Sequence, residues 1–459
     1  MNIFCCCMRS ALFSERTKCF LLLSTLVPFY VQSENQPPVL SLEKAITLAQ
    51  ENDPWLHKSH LLEEKSLVLS QSADQLEDPV LNAGMLNLPS NGFDFAQEPM
   101  TQLKIGITQM LPRGNTLKLA KQKLELTASQ QHYMRLERKL NLVLKTTQLW
   151  LDAYEKQASL RLIDEARPLF EKLNDIVNAS YSSLSGGADQ QAIVGAELAL
   201  MRLQDRADTL NAQQAMSLAK LQEFLAMQGA EQGSKLSFKE AQYTLPAKLS
   251  SLHDASHHQA QLNLASNLSE RLIEVLSEHP RLQIFDQYIA VSQVDEDIAK
   301  QGYKPQWGVN ASYAYRDDAP NGDSRADFLS VGVQMSLPLF SSQKQEDQVS
   351  ASVLNTESIR TDKRLQLRAL LTGLQAAHKD YAGIQKRKTN FDKRIIPHLS
   401  LQSELALNAY TNDQGNFYSV VTSKIEELDT KIERIKIEVA EQNALAQINY
   451  YLAGESYEQ

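Results

Sequence analysis

The sequence predicts a mainly α-helical fold with a small β part, built as two tandem copies of one unit. Three observations carry this. Landmark residues recur at fixed spacing, helical hydrophobic periods persist over unusually long stretches, and short segments alternate strictly between apolar and polar residues.

The recurrence comes first, because a missed repeat misreads the whole fold. Asn52-Asp53-Pro54 returns as Glu278-His279-Pro280, Pro79 as Pro305, Gly106 as Gly332 and Leu111-Pro112 as Leu337-Pro338, each 226 positions on. Pro168 pairs with Pro397, Tyr181 with Tyr410 and Gly186 with Gly415, each 229 positions on. One three-residue insertion between the two groups accounts for the change.

The 459 residues are 22% charged, with mean hydropathy −0.35, which excludes a bundle of membrane-spanning helices. Only 17 glycines stand among abundant Ala, Leu, Gln, Glu and Lys, a composition that favours long helices. A net charge of −9 argues against a nucleic-acid partner, since nothing could neutralise a run of phosphates.

The chain opens on Arg16 and Lys18, an apolar run from Cys19 to Tyr30, and the small-residue ending Val31-Gln32-Ser33. This reads as a secretory signal peptide over 1–33. A membrane anchor needs roughly 18 apolar residues, more than this run holds. All four cysteines (Cys5, Cys6, Cys7 and Cys19) lie in this segment, so the exported chain would carry no disulfide and no thiol chemistry.

Residues 34–228 then form the first copy and 267–459 the second, joined by a linker over 229–266. Each copy begins with a helix, at about 41–76 and about 268–302. A hairpin follows, at about 80–109 and about 306–336. Next comes a very long helical stretch, about 115–182 and about 343–410, then a turn at 183–189 or 411–416. A return helix closes each copy, at about 190–227 and about 417–452.

In the hairpins, Leu103, Ile105 and Ile107 alternate with Lys104, Gly106 and Thr108. Trp307, Val309, Ala311, Tyr313 and Tyr315 alternate with Gly308, Asn310, Ser312 and Ala314. Leu329, Val331, Val333 and Met335 alternate with Ser330, Gly332 and Gln334. A period of two gives each strand one apolar face. In a membrane, Leu103, Ile105, Ile107, Trp307, Val309, Tyr313, Val331 and Val333 would face lipid. Alternation alone is equally consistent with hairpins packed on helices in a soluble domain. Four strands cannot close a membrane barrel, so a membrane reading demands oligomerisation, and three copies would supply about twelve strands.

The stretch from Asn115 to Ser182 would span roughly 100 Å as one helix. Pro168 and Pro397 are expected to bend or divide the long helices. Ile425, Leu428, Ile432, Ile435 and Val439 make a heptad seam on the second return helix. Leu203, Ala207, Leu210, Gln214, Ser217 and Leu221 make a more polar one on the first. Narrow seams suit a hollow wall wetted on both sides. An elongated coiled-coil rod satisfies the helices too; the strands argue against it.

No phosphate-binding glycine loop, nucleophile elbow or paired zinc motif is present, so no enzyme, catalytic residue or cofactor is expected. His253, His257 and His258 cluster in the linker, where His253 and His257 would share a helix face. The segment's low complexity favours a solvated strap over a metal site.

Leu42-Glu43-Lys44-Ala45-Ile46 with Asn52-Asp53-Pro54, Leu337-Pro338-Leu339-Phe340, Tyr410 with Gly415, Phe417 and Val420-Val421, and the ending Tyr451-Leu452-Ala453-Gly454 together resemble the TolC-type outer-membrane efflux family. The resemblance covers nearly the whole exported chain. Asp78-Pro79 to Leu88-Pro89, Phe93-Asp94-Phe95 and Gln109-Met110-Leu111-Pro112-Arg113-Gly114 look like its heavy-metal (Czc/Cus-type) branch.

The resemblance implies a homotrimer with a twelve-stranded β-barrel in outer-membrane lipid and a periplasmic α-barrel of duplicated helical hairpins. It also implies docking to a periplasmic adaptor and an inner-membrane pump of the RND type, in a Gram-negative bacterium. Cargo would then be heavy-metal cations, with organic compounds or type I secretion substrates as the alternative. A periplasmic coiled-coil adaptor or structural protein is the alternative of another class. Gly186, Gly187, Gly415, Asn416 and Phe417 would form periplasmic tips that dock the adaptor. Asp189 and Asp413 are candidate constriction acids, against a plain reading as a helix cap or solvated turn.

Overall fold

The computed structural model describes residues 39–182, 190–225, 245, 268–340, 342–412 and 414–453. Residues 1–38 with all four cysteines, the segment 183–189 with Gly186, Gly187 and Asp189, Asp413, and the expected linker apart from Leu245 lie outside the described residues. The His253 cluster lies outside them too.

Each copy opens not with one helix, as the periodicity predicts, but with two. The first has α1 (Leu42–Glu51) and α2 (Pro54–Ser72). The second has α5 (Leu268–Ser277) and α6 (Pro280–Gln301). Proline lacks an amide hydrogen and clashes with the turn before it, so it starts a helix rather than continuing one. The residue before it supplies the cap. The Asp53 carboxylate accepts the Trp55 N–H at 3.0 Å. His279 Nδ1 accepts the Arg281 N–H at 3.2 Å.

The strands are β1 (Val80–Leu86), β2 (Gln102–Met110), β3 (Gln306–Tyr315) and β4 (Phe328–Ser336). The two hairpins merge into one antiparallel sheet in the order β1-β2-β3-β4. The β2–β3 ladder, with Ile105 opposite Tyr313, is the junction between the copies.

The long helices are α3 (Thr116–Ser182) with its return α4 (Gln190–Leu225), and α7 (Ser342–Asn390) with α8 (Ile396–Thr411) and the return α9 (Phe417–Leu452). The two prolines act differently. Pro168 sits inside an undivided α3. A proline in a helix interior costs about 3 kcal/mol or more. Around it Ile163, Phe170, Leu173 and Val177 are all at most 3% exposed. Each such burial contributes about 1.5–3 kcal/mol, so packing wins over the lost hydrogen bond. Pro397 instead follows a single π-helical turn, Phe391–Ile395, in which the Ile396 N–H reaches the Phe391 carbonyl. The extra residue per turn lets the chain resume as α8 with proline in its first turn.

Helix α3 packs on α2, α4, α6 and α9, while α9 also packs on α7 and α8. The core is therefore a series of clusters strung along the helices. One joins Ile163, Phe170, Leu203, Val420 and Ile432. Another joins Leu40, Ala45, Trp150, Leu221 and Val439. A third joins Leu140, Leu276, Leu282, Leu374 and Ile448. In the predicted seams Leu428, Ile432, Val439, Leu203, Ala207, Ser217 and Leu221 are buried.

Candidate channel surfaces

The strand registers decide which side chains share a face. Ala83, Ile105, Tyr313 and Leu329 form one row across the sheet, and Leu81, Ile107, Ala311 and Val331 the next. Leu103, Trp307, Val309 and Val333 point to the same side, since strand side chains alternate. The eight residues read as lipid-facing thus lie on one face, joined by Leu81, Met85, Tyr315, Leu329 and Met335. This face is bare, from 39% exposed at Leu103 to 78% at Val331. Soluble monomers rarely leave so continuous an apolar patch uncovered.

The opposite face carries Asn82, Lys104, Thr108, Asn310, Ser312, Ser330 and Gln334. There a Cβ on Gly106 would stand 3.1 Å from the Ser312 Cβ, a tight contact that glycine avoids.

At one end of the sheet two arginines tie the hairpin loops together. Arg316 donates to the Ala326 carbonyl at 2.9 Å and the Pro99 carbonyl at 3.2 Å, and lies 4.0 Å over the Phe328 ring. Arg325 donates to the Ala96 carbonyl at 3.2 Å. At the other end Arg113 donates to the Gly302 carbonyl at 3.2 Å, and the Leu111 N–H to the Trp307 carbonyl at 2.8 Å. Gly114 has φ +51, and a Cβ there would strike Gln301 and Lys304. The Leu111–Gly114 segment therefore fastens the first copy to the second.

A buried polar cluster lies where α3, α6 and α9 meet. His279 is 0% exposed. Its Nε2 lies 3.0 Å from the Tyr450 carbonyl, which can only accept, while Nδ1 accepts the Arg281 N–H. The ring is thus neutral with its proton on Nε2. Glu137 Oε1 accepts the Tyr450 hydroxyl at 2.7 Å and the Asn141 amide at 2.8 Å. Its Oε2 is buried without a hydrogen-bond partner, 3.8 Å from His279 Nδ1. Burial holds the His279 pKa below its ordinary value, outweighing the upward pull of Glu137.

The unfolded chain takes up this proton near the ordinary 6.5, the folded chain only at lower pH. The contribution of His279 to stability is thus complete above 6.5 and declines as pH falls from there towards the folded pKa. Melting temperature should fall between about pH 7.5 and about pH 5.5, and fall less in His279→Asn, which keeps a capping acceptor without titrating. An equal fall in both proteins would remove His279 as the cause.

At the α8–α9 turn a Cβ on Gly415 would stand 3.0 Å from the Tyr410 backbone nitrogen, a tight contact that glycine avoids. Asn416 caps α9 by accepting the Ser419 N–H at 2.8 Å. Phe417, read as part of the docking tip, is the first residue of α9. It is 6% exposed, edge-on to Tyr410 with ring centroids 5.7 Å apart, and packs with Val420 in the core. The apolar pattern at the start of α9 turns Phe417 inward and leaves its neighbour Tyr418, at 69%, outward. Sequence reading missed Tyr418, although the one-residue step on a helix is enough to separate the two.

Among the described residues no three His, Cys, Asp or Glu side chains group to hold a metal ion. Among them, too, no helix is long and apolar enough to cross a membrane, which says nothing of a β-barrel.

An amphipathic four-stranded sheet with a bare apolar face, mounted on long antiparallel helices, defines the class: the chain has the fold of the outer-membrane channels. No protein-family model matches it, and no curated protein does. Among solved structures it is similar to CusC, described for its folding and transmembrane channel formation, at 14% identity and TM-score 0.68, over 90% of this chain and 91% of that one. It is similar to the CmeC outer-membrane channel of Campylobacter jejuni at 11% identity and TM-score 0.67, over 90% and 85%. A membrane protein of Pseudomonas aeruginosa matches at 13% identity and TM-score 0.71, over 91% of each chain.

Proposed function

We propose that this protein is the outer-membrane exit duct of a tripartite efflux system, passing substrate from an RND-type pump and its periplasmic adaptor to the exterior. The observation that supports this reading is the sheet: its apolar face is bare, its other face carries Asn82, Lys104, Thr108, Asn310, Ser312 and Gln334, and both edge strands are unpaired among the described residues. Open edges are not tolerated in lipid, so three chains would close a barrel of about twelve strands around the polar faces. The long helices would then form the periplasmic wall. Gly186, Gly187, Gly415 and Asn416 would mark its tips, where the adaptor docks and where Asp189 or Asp413 would constrict the pore.

The cargo we propose is heavy-metal cations. The support is the resemblance of the segments around Asp78-Pro79, Phe93-Asp94-Phe95 and Gln109–Gly114 to the metal-efflux branch. A duct needs few ligands of its own, because selectivity can reside in the pump.

Heat-resistant trimers in detergent extracts of outer membranes are the expected result, and recovery as a soluble periplasmic monomer would sink the duct. Deleting the gene should lower tolerance to heavy metals while leaving tolerance to drugs and detergents intact. The reverse outcome would assign an organic cargo.

A further inference from the structure

The strand pairing gives the contact between two copies of this chain a definite register. β2 and β4 are equivalent strands whose ends lie 226 positions apart, Gln102 with Phe328 and Met110 with Ser336. β1 and β3 do not keep that spacing. Thr108 pairs with Val80, whereas its equivalent Gln334 pairs with Gly308. Val80 therefore occupies the place of Gly308, 228 positions on. The residues agree, since Asn82-Ala83 then falls on Asn310-Ala311. The second copy carries two extra residues after Pro305.

Within the chain the copies meet through the β2–β3 ladder. We propose that β4 pairs with β1 of a second copy of this chain by repeating that ladder, with Val331 opposite Met85, Gly332 opposite Gly84, Val333 opposite Ala83 and Gln334 opposite Asn82. The inference rests on the trimeric duct reading and specifies how its chains join.

Three features fit this register. Carried over from Met110 opposite Gly308, the ladder runs from Ser336 opposite Val80 to Ser330 opposite Leu86, which uses the whole of β1. The faces match, because Val331, Val333 and Met335 meet Met85, Ala83 and Leu81, all on the bare apolar side; a one-residue slip would put apolar against polar. The third is Gly84. Glycine inside a strand weakens it unless another backbone comes close. A Cβ on Gly84 would meet nothing within 4 Å among the described residues of its own chain. In this register it faces Gly332, the equivalent of Gly106, whose own Cβ would crowd Ser312 at 3.1 Å.

Paired cysteines test the register. Ala83 and Val333 sit on opposite edges of their own sheet, three strand spacings or roughly 14 Å apart. That is beyond the roughly 4.4–6.8 Å between Cα atoms that a disulfide spans, so a bond must join two chains. Oxidising outer-membrane extracts of the A83C/V333C double variant should give covalent dimers and trimers. M85C/V333C, displaced by two residues, should give roughly fivefold less, because diagonal neighbours stand about 7–8 Å apart. N82C/Q334C repeats the test on the polar face, in case the first pair hinders assembly. Single variants measure any background from Cys5, Cys6, Cys7 and Cys19. Dominant M85C/V333C linkage, or heat-resistant trimers that neither matched pair links, would overturn the register while leaving the trimer standing. Unmodified protein that extracts only as monomers would overturn the duct reading, and the inference with it.

Discussion

Arginine in place of Val331 should abolish heat-resistant trimers in outer-membrane extracts, while arginine in place of the preceding Ser330 should leave them. Val331 is 78% exposed in the middle of the apolar face, in the row that holds Leu81, Ile107 and Ala311. Arginine on the lipid face of a barrel costs about 2–4 kcal/mol at the bilayer midplane, and three chains would each bear it. Every 1.4 kcal/mol is about a factor of ten in an equilibrium, so the assembled population should fall at least a hundredfold. Ser330 points to the polar side, where Lys104 already stands two strands away. Equal survival of the two variants, or equal loss, would show that the faces do not divide between lipid and water.

Trp150→Ala should produce the largest loss of stability among the helical positions. Trp150 is 0% exposed, stacks on Tyr154 and donates its indole N–H to the Leu40 carbonyl at 2.9 Å. It packs with Leu40, Leu42 and Ala45, and so holds the start of the described chain and α1 against α3. Removing a buried tryptophan side chain costs about 3–5 kcal/mol through lost burial and the cavity left behind. Thermal unfolding in detergent should show a large drop in midpoint. Trp307→Ala, whose ring is 44% exposed on the sheet, should move that midpoint far less. Similar drops in the two variants would contradict a core organised around Trp150.

Much of this architecture is one-dimensional and so was legible in the residues. Hydrophobic alternation from Trp307 to Tyr315 marks a strand wherever the chain goes. The span of α9, Phe417–Leu452, is read from its heptad seam. That Leu103, Ile105, Ile107, Trp307, Val309, Tyr313, Val331 and Val333 share one face was legible for the same reason: a period of two leaves each strand only two faces. The break between α1 and α2 was legible in principle, since Asp53-Pro54 is a cap followed by a helix-starting proline.

Other features depend on residues far apart in the chain. Glu137, His279 and Tyr450 meet only because α3, α6 and α9 pack together, and no local pattern announces a partner 313 positions away. The opposite fates of Pro168 and Pro397 follow from what surrounds each helix, not from proline itself.

The sequence by itself determined the duplication, the order of helices and hairpins, and the two-faced character of each strand, because periodicity and proline geometry act over a few residues. Only the tertiary structure decided that the two hairpins join through β2 and β3, and that β1 and β3 are offset by two residues from the spacing the landmarks keep. The physical reason is that a shift of two residues preserves every strand's faces. Alternation is blind to it, and only hydrogen bonding between strands selects one register from the next.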